Sequence, residues 1–229
     1  NLPGVGQNII DHPECPIIAR TNGKYGYFKQ GEGWRMLKNG LQFLLFGTGP
    51  VNSTGVEAGA FINPINEDDL SYIQAFFVPS MYMNSDTIGV VKDDYGVSIT
   101  TVMTKPKSRG SVKLKSSNPN DMPVIELNLL KHKDDLQMMM AGQRFFLKAL
   151  QEGDLGAKIK EIILPDIKNL DDNKLSAHCR KFVRTNYHPS GTAKMGADND
   201  KMAVLDSKMR VRGIEGLRIC DLSAMPNIN

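Results

Sequence analysis

The sequence predicts an α+β fold, on three observations. Helical and strand-like segments are mixed along the chain, the clearest strands alternate as half-buried antiparallel strands do, and the β-α-β succession of a complete doubly wound sheet does not occur. With 229 residues and 41% hydrophobic content, the chain is long enough for one large or two small domains around a true core. Its two ends read as pieces of a different domain from the middle.

After an opening loop, PIIAR at 16–20 reads as a short strand. Residues 33–46 place Trp34, Leu37, Leu41, Leu44 and Leu45 at helical spacing, and the GTGP that follows ends the helix. Strand-like segments come next at 56–62, 72–78, 96–104 and 110–116. In the last two, Val97, Ile99, Thr101 and Met103 share one face, as do Val112 and Leu114, and KPKSRG at 105–110 reads as a hairpin-like connection. The strongest helix spans 133–151, with acidic residues in its first turn and a broad apolar face from Leu136 to Leu150; Met138 to Met140 read as core filler. A second helix is expected from about 171 to 185, opened by Asp171 and built on Leu175, Cys179, Phe182 and Val183, with His178 at the surface. Finally, Leu217 to Cys220 read as a short buried strand that delivers Asp221 at its C-terminal end, where open α/β sheets bind ligands. The stretches 20–35 and 79–95 are expected loops, with Tyr25, Tyr27, Phe28, Tyr82 and Tyr95 as candidate walls of a substrate entrance.

Composition excludes several classes. The net charge of +3 is spread over 28 basic and 25 acidic residues without a basic run that would track a phosphate backbone, so nucleic acid is not an expected partner. The longest apolar run, LQFLLFG at 41–47, is far short of the roughly 20 residues of a membrane-spanning helix. Three scattered cysteines, Cys15, Cys179 and Cys220, make no disulfide framework and fit a reducing setting, cytoplasmic or peripheral to a membrane. His12 and Cys15 have a spacing that could begin a metal site, but no second cluster supplies further ligands, so no metal is expected. No GxxxxGK[ST], HExxH or GxSxG is present, and GVGQNI at 4–9 lacks the third glycine and the preceding strand of a dinucleotide-binding turn.

The sharpest candidate is TNYHPSGTAKMG at 185–196. Pro189 fixes its own φ and pushes His188 toward extended geometry, while Gly191 and Gly196 permit turns. An imidazole on so rigid a corner can be aimed, and it exchanges protons around neutral pH.

Four segments, LPGVGQNIIDHP at 2–13, GPVNSTGVEAGAF at 49–61, KPKSRGSVKL at 105–114, and YHPSGTAKMG with AVLDSKMRVRGIEGLRICDLSAMP within 187–226, together resemble the C-terminal portion of the glucose-methanol-choline (GMC) oxidoreductases, choline dehydrogenase-like members above all. The resemblance implies an antiparallel-sheet substrate domain at 13–186, flanked by a segment of an FAD-binding α/β domain at 1–12 and a return to it at 187–229, the Rossmann part lying outside the chain. It implies FAD as cofactor, a small-molecule alcohol as substrate, and oxygen or a quinone-like molecule as electron acceptor. His188 matches the catalytic histidine above the flavin, Asp221 and Leu222 the positions that meet FAD, and Glu57 the glutamate that helps hold a quaternary ammonium group in choline-oxidising members. Lys105 falls where those members carry a histidine or another polar residue. A second catalytic residue is expected just beyond Asn229, and the 229 residues alone are expected to be inactive. The same framework also serves hydroxynitrile lyases, in which the histidine moves protons and the flavin is a spectator; a non-catalytic substrate-domain fragment is the third reading.

Overall fold

Nine residues with an almost wholly buried centre, β2 (Pro13–Thr21), form the longest strand of the computed structural model, which describes residues 2–82 and 94–228. β-Branched Ile17 and Ile18 suit a pleated ribbon covered on both faces, and both are fully buried. Around β2 runs a six-stranded sheet in the order β3 (Ala58–Ile62), β4 (Ile73–Val78), β5 (Gly96–Met103), β2, β8 (Ile159–Leu164), with the two-residue β9 (Arg184–Thr185) also pairing β2. The pairs β3–β4, β2–β8 and β2–β9 are antiparallel. A second, three-stranded antiparallel sheet has the order β1 (Gln7–Ile9), β6 (Gly110–Lys113), β7 (Val124–Glu126). The expected mixture of helices and antiparallel strands is thus what the chain builds. It divides into two compact units, one of Asn1–Glu14, Met103–Gln137 and Val183–Asn229, the other of Cys15–Val102 and Met138–Phe182.

In the second unit, α2 (Lys133–Ala149) contributes Met139, Met140, Phe146 and Leu147 to a core completed by Ile17, Ile73, Val102 and Leu150. Gly142 lets the helix come close to β4, because a Cβ there would stand 3.2 Å from the Ile73 side chain. Buried Gln143 donates to the Cys15 carbonyl at 3.0 Å and to the Thr101 hydroxyl, which itself donates to the same carbonyl at 2.8 Å. These bonds offset the burial of polar groups between helix and sheet. Helix α1 (Gly33–Phe46) ends at Gly47, which takes φ 62° and donates its N–H to Phe43 O at 2.8 Å. Its apolar residues sit at helical spacing as expected, but they face outward: Trp34 is 68% and Leu44 81% exposed, and Asn39 alone is buried.

Four local expectations need correction. KPKSRG is no hairpin, because β5 and β6 belong to different sheets. The strand at 110 stops at Lys113, and Leu114 is exposed. After the one-turn α3 (Gly153–Gly156), helix α4 (Asp172–Phe182) ends early: Arg184 pairs with Glu14 in a buried ion pair, and the chain leaves the helix to join β2. Leu217 to Cys220 form no buried strand; Leu217 and Cys220 are exposed, and the segment's pairing among the described residues is one bridge from Arg210 to Arg218.

His178 is likewise not a surface residue. It is 7% exposed on the inner face of α4, its ring against Phe182 and its Nε2 3.5 Å from Cys15 Sγ. Burial pushes its pKa from 6.5 down to about 4, against the raising effect of a hydrogen bond with the Pro16 backbone. The folded protein holds this ring neutral, while the unfolded chain binds a proton below its ordinary pKa. Stability therefore falls as pH drops from 6.5 toward about 4 and levels off below, where both states are protonated. Urea unfolding across that window should show this decline, and His178→Gln should flatten it; equal slopes for the two proteins would remove His178 as a cause.

Candidate active site

His188 sits where two distant segments are laced together. Ile10 and Ser190 exchange backbone hydrogen bonds of 3.0 and 2.8 Å, and Asn186 N–H donates to His12 O at 3.1 Å. Between these clamps, Tyr187 takes φ 63°, a left-handed conformation that a bulky residue adopts only when its surroundings enforce it. Its N–H donates to the Thr185 hydroxyl at 2.9 Å. The His188 ring is exposed and meets the His12 ring edge to face, centroids 5.5 Å apart at 81°.

His12, which the sequence offers only as a half-formed metal ligand, is therefore part of the site. Its Nδ1 lies 2.9 Å from the Met103 carbonyl. A carbonyl accepts only, so Nδ1 carries the proton and Nε2 of the neutral ring is the free acceptor. Burial lowers the His12 pKa, and the His188 charge acts in the same direction, while the Met103 bond opposes. Asp11 and Asn8 join it. The Asp11 carboxylate accepts the N–H of His12 at 2.7 Å and that of His188 at 3.1 Å. Asn8, at φ 62°, donates to Pro226 O at 3.3 Å and accepts from Arg109 Nε at 3.1 Å. Gly191 must be glycine: it takes φ 87°, and a Cβ would stand 2.5 Å from Asn8 O.

Asp221 and Leu222 are delivered to the same place by backbone pairing. Gly191, Ala193 and Met195 donate N–H groups to Leu222, Ser223 and Ala224 at 3.2, 2.8 and 2.8 Å. Beneath them Ala193, Val204, Leu205, Val211 and Ala224 make a small buried core. Asp221 caps the short 3₁₀ turn Leu222–Ala224, accepting from Ser223 N–H at 2.8 Å, and its bonds to the Ser223 hydroxyl and amide lower its pKa. An open hollow of about 750 Å³ lies here, with Asp221, Leu222, Tyr187, Pro189, Ile125 and Asp11 in its wall. The neighbours of His188 and the expected FAD-contacting pair thus share one cavity.

Lys105 belongs to the same unit and is exposed. Glu57 belongs to the other unit, where its exposed carboxylate accepts from the Ser53 hydroxyl and from Tyr27 Oη at 2.5 Å. Of the expected loop aromatics, Tyr25 and Tyr82 are exposed, and Phe28 packs edge to face on Tyr95 at 5.0 Å; residues 83–93 of that stretch lie outside the described residues. Among the described residues no group of three or more His, Cys, Asp or Glu could hold a metal ion, and no helix is long and apolar enough to cross a membrane.

Comparison with known proteins identifies the family. A family model described as GMC oxidoreductase, C-terminal part, matches residues 106–229. An oxygen-dependent choline dehydrogenase of Escherichia coli strain UMN026 is 33% identical over 228 residues, and one of Klebsiella pneumoniae is 34% identical over 228. Each match covers 100% of this chain and 40% of the relative, so the chain spans well under half of the proteins it resembles. Among solved structures, a formate oxidase of Aspergillus oryzae superposes with a TM-score of 0.81 at 23% identity, covering 99% of this chain and 44% of that one. A pyridoxine 4-oxidase from Mesorbium loti gives 0.78 at 19% identity, covering 100% of this chain and 40% of that one. These last two establish the shared fold.

The Tyr27 to Glu57 contact has a spectroscopic signature. Hydrogen bonding to the Glu57 carboxylate raises the Tyr27 pKa above 10.0, and the bonds from Ser53 and Tyr27 lower that of Glu57. In ultraviolet titration, Glu57→Gln should move one phenol to lower pH; a titration superimposable on the parent's would exclude the contact in solution.

Proposed function

Because the chain belongs to the GMC oxidoreductase family, we propose that it forms the substrate-facing part of an FAD-dependent enzyme that oxidises a primary alcohol to an aldehyde. One observation carries the reading: Tyr187 and Pro189, on either side of His188, and the Asp221–Leu222 turn border a single, mainly apolar hollow.

The residues present fit the cofactor. A cavity of about 750 Å³ walled by Ile9, Val112, Ile125, Leu127 and Leu222 is chemically suited to a flat aromatic ring system, and Asp221, Ser223 and Thr192 supply polar groups at its margin. Asp221 and Leu222 would hold it, Leu222 through its backbone. FAD, when bound, supplies the acceptor for the hydride that leaves the alcohol.

The task of His188 follows from the chemistry of the alcohol. A carbinol carbon gives up hydride poorly while its hydroxyl proton remains, because the forming carbonyl would carry positive charge. The imidazole takes that proton as the hydride departs, a general-base contribution of roughly 10²–10⁴-fold. The clamps on either side of His188 fix the main chain from which its ring projects, and placement of a base is where much of its advantage arises. Glu57 and Lys105 are assigned to the substrate side on resemblance to the family, in whose choline-oxidising members the Glu57 position helps hold a quaternary ammonium group. Electrons then pass to oxygen or to a quinone-like acceptor.

In the full-length enzyme loaded with FAD, His188→Ala should slow anaerobic bleaching of the flavin by alcohol roughly 10²–10⁴-fold with the FAD content little changed. Bleaching at the parent rate would strip His188 of this role.

A further inference from the structure

We infer that Asp11 is the positioning residue for His188, holding both rings of the histidine pair through their main chains; this rests on the proposed role of His188. The carboxylate is 4% exposed and touches neither imidazole through the bonds it makes. Its Oδ1 accepts the His12 and His188 N–H groups at 2.7 and 3.1 Å, and its Oδ2 accepts the Thr185 hydroxyl. The Thr185 oxygen in turn accepts the Tyr187 N–H at 2.9 Å. One acidic group therefore fixes residues 185, 187 and 188 on one segment and residue 12 on the other.

Nothing else described holds the His188 N–H, and the ring itself stands exposed with the His12 edge as its neighbour. The orientation of the base is thus set from behind, by where its main chain is pinned. The left-handed φ of Tyr187, 63°, is the conformation that turns the chain so that its amide reaches Thr185 and the next amide reaches Asp11. Without the carboxylate this turn loses its two acceptors' common anchor and can relax toward ordinary φ, which swings the His188 Cα–Cβ bond. Displacement of a catalytic group by about 1 Å is enough to lower a rate by ~10²-fold.

A neutral isostere separates position from charge. Asparagine keeps an oxygen that can accept both histidine N–H groups, whereas alanine keeps none. In the full-length enzyme loaded with FAD, Asp11→Ala should slow flavin reduction at saturating alcohol about 10–100-fold while the apparent substrate dissociation constant moves about threefold or less, and Asp11→Asn should recover most of the rate. Parent-like reduction in Asp11→Ala, or an Asp11→Asn as slow as Asp11→Ala, overturns the inference. Should Asp11→Ala fail to fold or to retain FAD, Thr185→Val, which removes the hydroxyl between Tyr187 and the carboxylate, carries the test: slower reduction with unchanged FAD content is expected, and the parent rate overturns it. His188→Ala is measured beside them. If it reduces flavin at the parent rate, the function reading falls and this inference with it; a slow His188→Ala beside a fast Asp11→Ala removes the inference alone.

Discussion

A buried carboxylate is tolerable only when donors replace the water it has lost, and the donors to Asp11 come from its neighbour His12 and from Thr185 and His188, the latter 177 residues away. Beyond the local His12 bond, the donors that offset the desolvation of this one group arrive only once the two ends of the first unit have met. Closure of that unit and assembly of the histidine corner are therefore coupled, because a chain that mispairs 10–12 against 186–190 loses two of the three donors to the carboxylate. The acid thus enforces correct closure as well as geometry.

The same unit meets its other constraint with backbone. Gly191 passes so close to Asn8 that no side chain fits, and the N–H groups of Gly191, Ala193 and Met195 fasten the Asp221 turn alongside. Since most of the lacing is main chain to main chain, the wall of the hollow is set by conformation, and its exposed side chains, Tyr187 and Leu222 among them, remain at liberty to meet what enters.

Legibility in the sequence followed the strength of local pattern. Helix α2 and strand β5 carry long, regular periodicities and were readable. Strand β8 was not, because Lys160 and Glu161 interrupt its apolar residues and its pairing with β2 is irregular. β1 and β7 are three residues each, too short for any period to register. His178 was misjudged because Arg180 and Lys181 beside it advertise a solvated face, while the opposite face of α4 is closed by Cys15. For the candidate site, the motifs pointed to the corner at His188 and the turn at Asp221, whose segments do border one hollow. Asp11, His12 and Asn8 were not legible, since their importance lies in contacts nearly a whole chain length away. One signal was available: a histidine followed by proline occurs twice, at His12 and at His188, and these are the two rings that meet.

Helix α1 presents Trp34, Leu37, Leu41, Leu44 and Leu45 to water as one greasy ridge. Each side chain left there forfeits the ~1.5–3 kcal/mol that burial would return, a standing incentive for copies to stick together through it. Sulfate salts, which strengthen apolar association, deepen that incentive, and urea, which weakens such association, relieves it.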